Sequence, residues 1–424
     1  MRLSRRGLLG AAVGTAAGLA GCSEESPPPT PSGTPPPTPA GGPYAYTHVR
    51  PGGNRVLDGG GDVTDVDPVE IPVDGRPAWL LAVDAGAGSR WTVLRADGTA
   101  RTHRVEGGTA EHLADHGAAS APPVGYPADG SVGLVAAPGD AGEHTRPMPL
   151  ADGLLYVATD GDVVVWRDGG RTRLDVDAPA DARPVRLADE RYLVYGGRTD
   201  RYRHGALGDE VEPSSLVVVD ADEGRIEAET CLDAPLVFEG LAPLVADVDG
   251  DGAPEVVTTV ADSADGARLH VYRPDGTALA TGPVYGPGWR HQLCVAPFAP
   301  DGTAELAVVR KPHVDRTIEF YRLDGGDLPV TATLSGFASH TYGSRNLDGG
   351  LAADFDADGR AELLVPRTDR RRLTAVRRTG DGAERAWSLP VDGRLTTNLT
   401  GAALADGRLA VGAGGDGAVR VWQG

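Results

Sequence analysis

Lysine is all but missing from this chain: Lys311 is the only one, so arginine carries nearly all the positive charge. Cysteine (three), methionine (two) and phenylalanine (five) are scarce, and aromatic residues fill only 5% of the 424 positions. No Cys/His cluster has the spacing of a zinc site. Beyond residue 22 no apolar run approaches the roughly 20 residues a membrane-spanning helix needs. Positive charge is short overall, since 40 Lys plus Arg face 60 Asp plus Glu and leave a formal charge of −20. Such a field repels a polyanion and argues against a nucleic-acid partner. The Gly-x-Ser-x-Gly elbow, the phosphate-binding glycine loop and the His-Glu-x-x-His helix are also absent, which removes the common hydrolase, nucleotide and metalloprotease signatures.

What is abundant is glycine (60) and proline (34), with Asp-Gly pairs scattered along the chain. That composition describes many short elements joined by tight turns, an all-β protein rather than a helical one. An Asp-Gly-type turn after a β-rich run recurs at Asp97-Gly98, Asp168-Gly169, Glu223-Gly224, Asp275-Gly276, Asp324-Gly325 and Asp381-Gly382. Type I′ turns are expected there, because their twist matches that of the strands they join. An apolar strand precedes each hairpin, giving seven units at about 78–83, 154–158, 192–195, 255–260, 305–309, 362–366 and 408–412. Units of about 50 residues with about four strands each are the signature of a β-propeller. The sequence therefore predicts a seven-bladed β-propeller over 44–424, with an insertion at roughly 105–147. The last unit lacks room for a fourth strand, which a segment near Tyr44–Leu57 is expected to supply. Cys231 and Cys294 fall in different units and read as two small buried thiols, since a bridge needs Cα atoms within roughly 7 Å.

The amino terminus is an address. Residues 1–21 form a basic then modestly apolar segment too short to span a bilayer, and Arg5-Arg6 within Ser-Arg-Arg-Gly-Leu-Leu resembles the twin-arginine export motif. Leu19-Ala20-Gly21-Cys22 resembles a lipobox, which implies cleavage before Cys22 and lipidation of its thiol. Residues 22–43 contain nine prolines and no large apolar side chain, so they form an extended tether. Export to the outer face of the cytoplasmic membrane, held there by lipid, is the expected location.

Two acidic loops carry chemistry. ADVDGDGAPE from 246 and ADFDADGRAE from 353 both give Asp-x-Asp-x-Asp-Gly-x-x-Glu. Alternate carboxylates can converge on one centre, and the glycine permits the turn that brings the final glutamate back. The expected ligands are Asp247, Asp249, Asp251 and Glu255, and Asp354, Asp356, Asp358 and Glu362, with backbone carbonyls from Ala253 and Arg360. Hard oxygens in that number suit Ca²⁺. Position twelve, glutamate in an EF-hand, is Thr258 or Val365 here. The pattern instead resembles the calcium loop of FG-GAP/VCBS repeats and integrin α propellers, which implies structural calcium and a role in adhesion or ligand recognition. A third loop keeps Asp301, Gly302 and Glu305 but has lost the first two aspartates, so no metal is expected in it.

The starts of the inner strands supply a polar set: Arg290, His291, His340, Ser344, Arg345, Asn346, Thr397 and Asn398. Arg290, His291, Arg345 and Asn346 could form an anionic-ligand or glycan funnel, or could simply solvate the mouth. Asn398-Leu399-Thr400 also matches an N-glycosylation sequon. The function expected is that of a monomeric, lipid-anchored, calcium-binding propeller acting as a binding, adhesion or scaffold module toward a cell-surface protein or glycan. The alternative is a polysaccharide lyase or hydrolase working through the funnel.

Overall fold

The computed structural model describes residues 43–167 and 170–424. The expected signal segment, Cys22, the expected tether up to residue 42 and the expected turn at Asp168-Gly169 lie outside them. Among the described residues the chain forms strands and no helix. Six sheets are simple four-stranded meanders or closures of one, and consecutive sheets follow one another around a ring. In chain order the blades are 77–118, an abbreviated sheet at 124–134, then 148–174, 185–231, 237–281, 290–335, 351–390 and 400–423. They are numbered one to eight below.

The count is eight rather than seven. The stretch expected to be an insertion instead holds the outer strand of blade 1, Thr109–Ala118, and the strands Val124–Ala128 and Ser131–Leu134 of blade 2. Thr109–Ala118 has no buried residue, so it carries no apolar run to announce it. Blade 2 reaches three strands by pairing Tyr46 with Val124.

The strand that closes the ring is also not the one expected. Val69–Pro72 pairs antiparallel with the last strand, Ala418–Gln423, and completes blade 8. Tyr44–Leu57 does something else: it crosses the axial channel. The Pro51 carbonyl accepts from Arg186 N (2.9 Å), the Gly52 carbonyl from Val245 N (2.8 Å) and the Arg55 carbonyl from Ala352 N (2.9 Å). The Asn54 amide both donates to the Val295 carbonyl and accepts from its N–H, each at 3.0 Å. The following strand, Val56–Gly60, then runs parallel to the inner strand of blade 7. One segment thus plugs the channel by satisfying inner-strand groups of blades 4 to 7.

Apolar packing lies between the blades. Leu293, Phe298, Phe320, Leu363 and Val376 fill the wedge between blades 6 and 7. Leu80, Trp91, Val93, Ala410 and Val421 fill the wedge between blades 8 and 1. The inner and second strands are covered on both faces, so inner Arg290–Ala296 and second-strand Glu255–Ala261 are buried at every position, whereas outer Arg225–Cys231 alternates. Gly412 has its place in the closing wedge, because a Cβ there would sit 2.2 Å from the Trp91 ring.

The hairpin turns depart from the expected type. At Arg95 to Gly98 the Gly98 N–H closes on the Arg95 carbonyl, and Gly98 alone has positive φ (+83°). Arg273 to Gly276 repeats this, with Gly276 at +83°. These are type I turns followed by a left-handed glycine, the three-residue hairpin, rather than type I′. Both Cys231 and Cys294 are free thiols; Cys294 is buried, but Cys231 is exposed on an outer strand.

Candidate functional site

The acidic loops join the first and second strands of blades 5 and 7. In the first, Asp247, Asp249 and Asp251 each bring a carboxylate oxygen within 4.8 Å of the others. The backbone holds them there: Gly250 N and Gly252 N donate to Asp247 (2.6 and 3.0 Å), Asp251 N to Asp249 (3.0 Å) and Ala253 N to Asp251 (2.8 Å). Glu255 begins the next strand at only 4% exposure and accepts from Val248 N at 2.8 Å. Burial, and then the three aspartates, push its carboxyl above the usual range. None of these four carboxylates makes an ion pair among the described residues. Four acids without a counter-cation repel one another strongly, and their oxygens fit a hard divalent ion completed by water.

The second loop has the same backbone frame, with Asp358 N and Gly359 N on Asp354 (3.1 and 3.0 Å), Arg360 N on Asp358 (3.0 Å) and Phe355 N on Glu362 (3.0 Å). Its converging trio is Asp354, Asp356 and Glu362, with Asp358 outside that group. Here a cation is already present. Arg377 reaches from the third strand to Asp356, to Glu362 (2.5 Å) and to Asp358 (3.3 Å). Glu362 is fully buried, and burial lifts its carboxyl to about 7 against the opposing pull of Arg377. A metal ion would have to compete with that guanidinium, so the first loop fits calcium better than the second.

The third loop shows the same device carried further. Glu305 is held by Arg378 (2.8 Å) and Arg322 (3.2 Å), and Arg322 also faces Asp301 (3.7 Å). Arg273, Arg322 and Arg377 occupy matching places, each directly after the third-strand residue that pairs with the residue following its loop glutamate. Their recurrence in Val-Tyr-Arg, Phe-Tyr-Arg and Ala-Val-Arg was a signal available in the sequence.

The funnel expected from Arg290, His291, Arg345 and Asn346 is not assembled. Arg290 is fully buried and donates to the Ala267 and Gly288 carbonyls, with its guanidinium over Tyr285. Arg345 is held by Asp181 (2.7 Å) and Asp209 (2.6 Å). His291 is buried, bonds Ser339 at 2.8 Å and is kept neutral by desolvation. Asn346 caps its own loop by accepting from Asp348 N at 3.1 Å. Asn398 is fully buried, receiving Leu80 N (2.7 Å) and donating to the Leu80 and Thr47 carbonyls, so the folded protein closes the sequon.

The axis instead holds an ionic cluster that no motif signalled. Asp348 accepts from Arg55 (2.9 Å) and Thr47 (2.6 Å), with Arg146 3.8 Å away. Arg183 lies beside them, bonded to the His144 and Arg345 carbonyls (3.1 and 2.6 Å). Burial lowers Arg146 to about 10 and Arg183 to about 9. His48 and His291 help line a cavity of only about 30 Å³, room for a water or two.

No protein-family model matches the chain, and no curated protein matches its sequence. Among solved structures, Sqt1 from Saccharomyces cerevisiae superposes with a TM-score of 0.51 at 11% identity, over 84% of this chain and 98% of that one. A chain of the mitotic checkpoint complex gives a TM-score of 0.42 at 12% identity, over 85% and 95%. At this identity the likeness to Sqt1 concerns architecture alone, and together with the ring of sheets it establishes the chain as a β-propeller.

Proposed function

We propose that this protein is a lipid-anchored, calcium-binding propeller that serves on the cell surface as a binding or scaffold module. The observation that carries the calcium reading is the first loop, where Asp247, Asp249 and Asp251 converge, Glu255 starts the following strand, and none of the four has an ion-pair partner among the described residues. The resemblance of both loops to FG-GAP/VCBS calcium loops points the same way. A binding role is favoured over catalysis because the arginines at the inner-strand starts, Arg290 and Arg345, are already engaged by protein partners.

Calcium added to chelator-treated protein is expected to raise the melting temperature. A ligand that binds only the folded state contributes about 2.7 kcal/mol at a hundred times its Kd. Titration should show a tighter step lost in Asp249→Asn and retained in Asp356→Asn, because Arg377 competes only in the second loop. A melting curve indifferent to calcium would sink this reading. For the anchor, Cys22→Ser is expected to move the protein from the membrane fraction to the soluble one; an unchanged distribution would remove lipidation from the proposal.

A further inference from the structure

At the starts of the inner strands, the end of the ring away from the acidic loops, blades 7, 8 and 1 enclose a cleft of about 300 Å³. That is the small end of the range for ligand pockets, roughly 300–1,000 Å³. Three arginines line it. Arg76 precedes the inner strand of blade 1, Arg394 precedes that of blade 8, and Arg370 sits in the hairpin turn after Glu362–Pro366. Among the described residues none of the three guanidinium groups makes a hydrogen bond or an ion pair, and Arg370 Nε is buried without a partner.

The three feel one another. Burial, then Arg394 and Arg76, bring Arg370 down to about 10. The one acid in the lining, Asp416, already accepts from Arg394 N at 3.1 Å. His340 adds no charge, since burial pushes it down to about 3. The cleft therefore holds a surplus of positive charge and of unused donors, which an oxyanion would satisfy. The rest of its wall includes the hydroxyl and amide side chains of Thr341, Ser344, Thr396 and Asn346 beside Leu395, with no Phe, Tyr or Trp ring. Hydroxyls and amides both donate and accept, which matches a sugar.

We propose that this cleft binds a single sugar unit carrying a phosphate or carboxylate group. The inference rests on the binding-module reading and names its ligand class. Calorimetry on the calcium-loaded full chain with glucose 6-phosphate, glucuronate, glucose and inorganic phosphate tests it. At least one of the two charged sugars should bind, with glucose and inorganic phosphate each weaker by about tenfold or more. The tighter charged sugar identifies the anionic group. The exposed pair Arg76→Gln/Arg394→Gln should weaken binding by a similar factor with an unchanged melting temperature, and Arg370→Gln should do the same from the buried side. Failure of both charged sugars to bind, equal binding of glucose or phosphate, or unaltered binding by the double variant would overturn the proposal. Calcium stabilisation without sugar binding would overturn the cleft alone. Turnover of a bound sugar would overturn the binding-module reading and leave the cleft standing.

Discussion

Replacing Asp348 by alanine is expected to cost about 3–5 kcal/mol, the usual penalty for removing one partner of a buried ion pair. Asp348 is 1% exposed and is the acid that faces Arg55, Arg146 and Arg183 in the axial cluster. Alanine would leave those buried cations facing one another and deprive Thr47 of its acceptor. Asparagine keeps the shape and an acceptor but not the charge, so Asp348→Asn should fall between alanine and the parent. Denaturant midpoints of the three proteins measure this, and a loss below about 1 kcal/mol for alanine would show that the cluster does not hold the axis together. The same carboxylate sets an acid limit. Burial alone would raise its pKa, but Arg55, His48 and Arg146 hold it well below the ordinary carboxylate range. A depressed acid contributes stability that is present above its unfolded value, about 3.9, and lost as pH falls toward its folded value. Acid unfolding below about pH 4 should therefore weaken markedly in Asp348→Asn, which has no proton to take up.

Deleting residues 44–60 should have the second large effect. Arg186 N, Val245 N and Ala352 N would lose their carbonyl acceptors, and Val295 both of its bonds to Asn54. At about 1 kcal/mol for each of these five bonds the loss is about 5 kcal/mol. It should be concentrated where the segment lies: amide exchange would quicken at Val245 and Ala352 while the outer hairpins keep their protection. Uniform quickening in every blade would mean that the segment acts on the ring as a whole, and no quickening would mean that it is not a plug.

Much of the architecture could be read from residues alone. The left-handed glycines after Asp97 and Asp275 mark hairpins because few other residues accept that backbone. The alternating carboxylates of the acidic loops marked two places where charge had to be neutralised. The outer strand of blade 1 escaped because an exposed strand rich in Ala and His needs no apolar pattern, and blade 2 because its strands Val124–Ala128 and Ser131–Leu134 are short and interrupted by Gly and Pro. The plug escaped for a related reason, since Thr47 to Arg55 bonds mainly through backbone groups and single polar side chains, which leave no periodicity. For the mouth residues, residue type was informative and direction was not. Whether an arginine at a strand start faces a cleft, as Arg394 does, or an aspartate, as Arg345 does, depends on neighbouring blades far away in sequence. Arg377 lies between these cases: its position opposite Glu362 follows from hairpin register once the blade is known.

The route of the amino-terminal segment has a mechanical consequence. Pro43 lies beside Asp84 and Ala403, at the ends of inner strands and so on the same side of the ring as the acidic loops. Tension applied through residue 43 would enter the fold along a segment bonded to several blades at once. The pull would be shared as shear across the ring instead of peeling one outer strand, and the arginine-lined mouth would point away from the direction of pull. If the chain is held through its amino-terminal end, as proposed, a propeller strung in this way would resist extraction while keeping its open end presented.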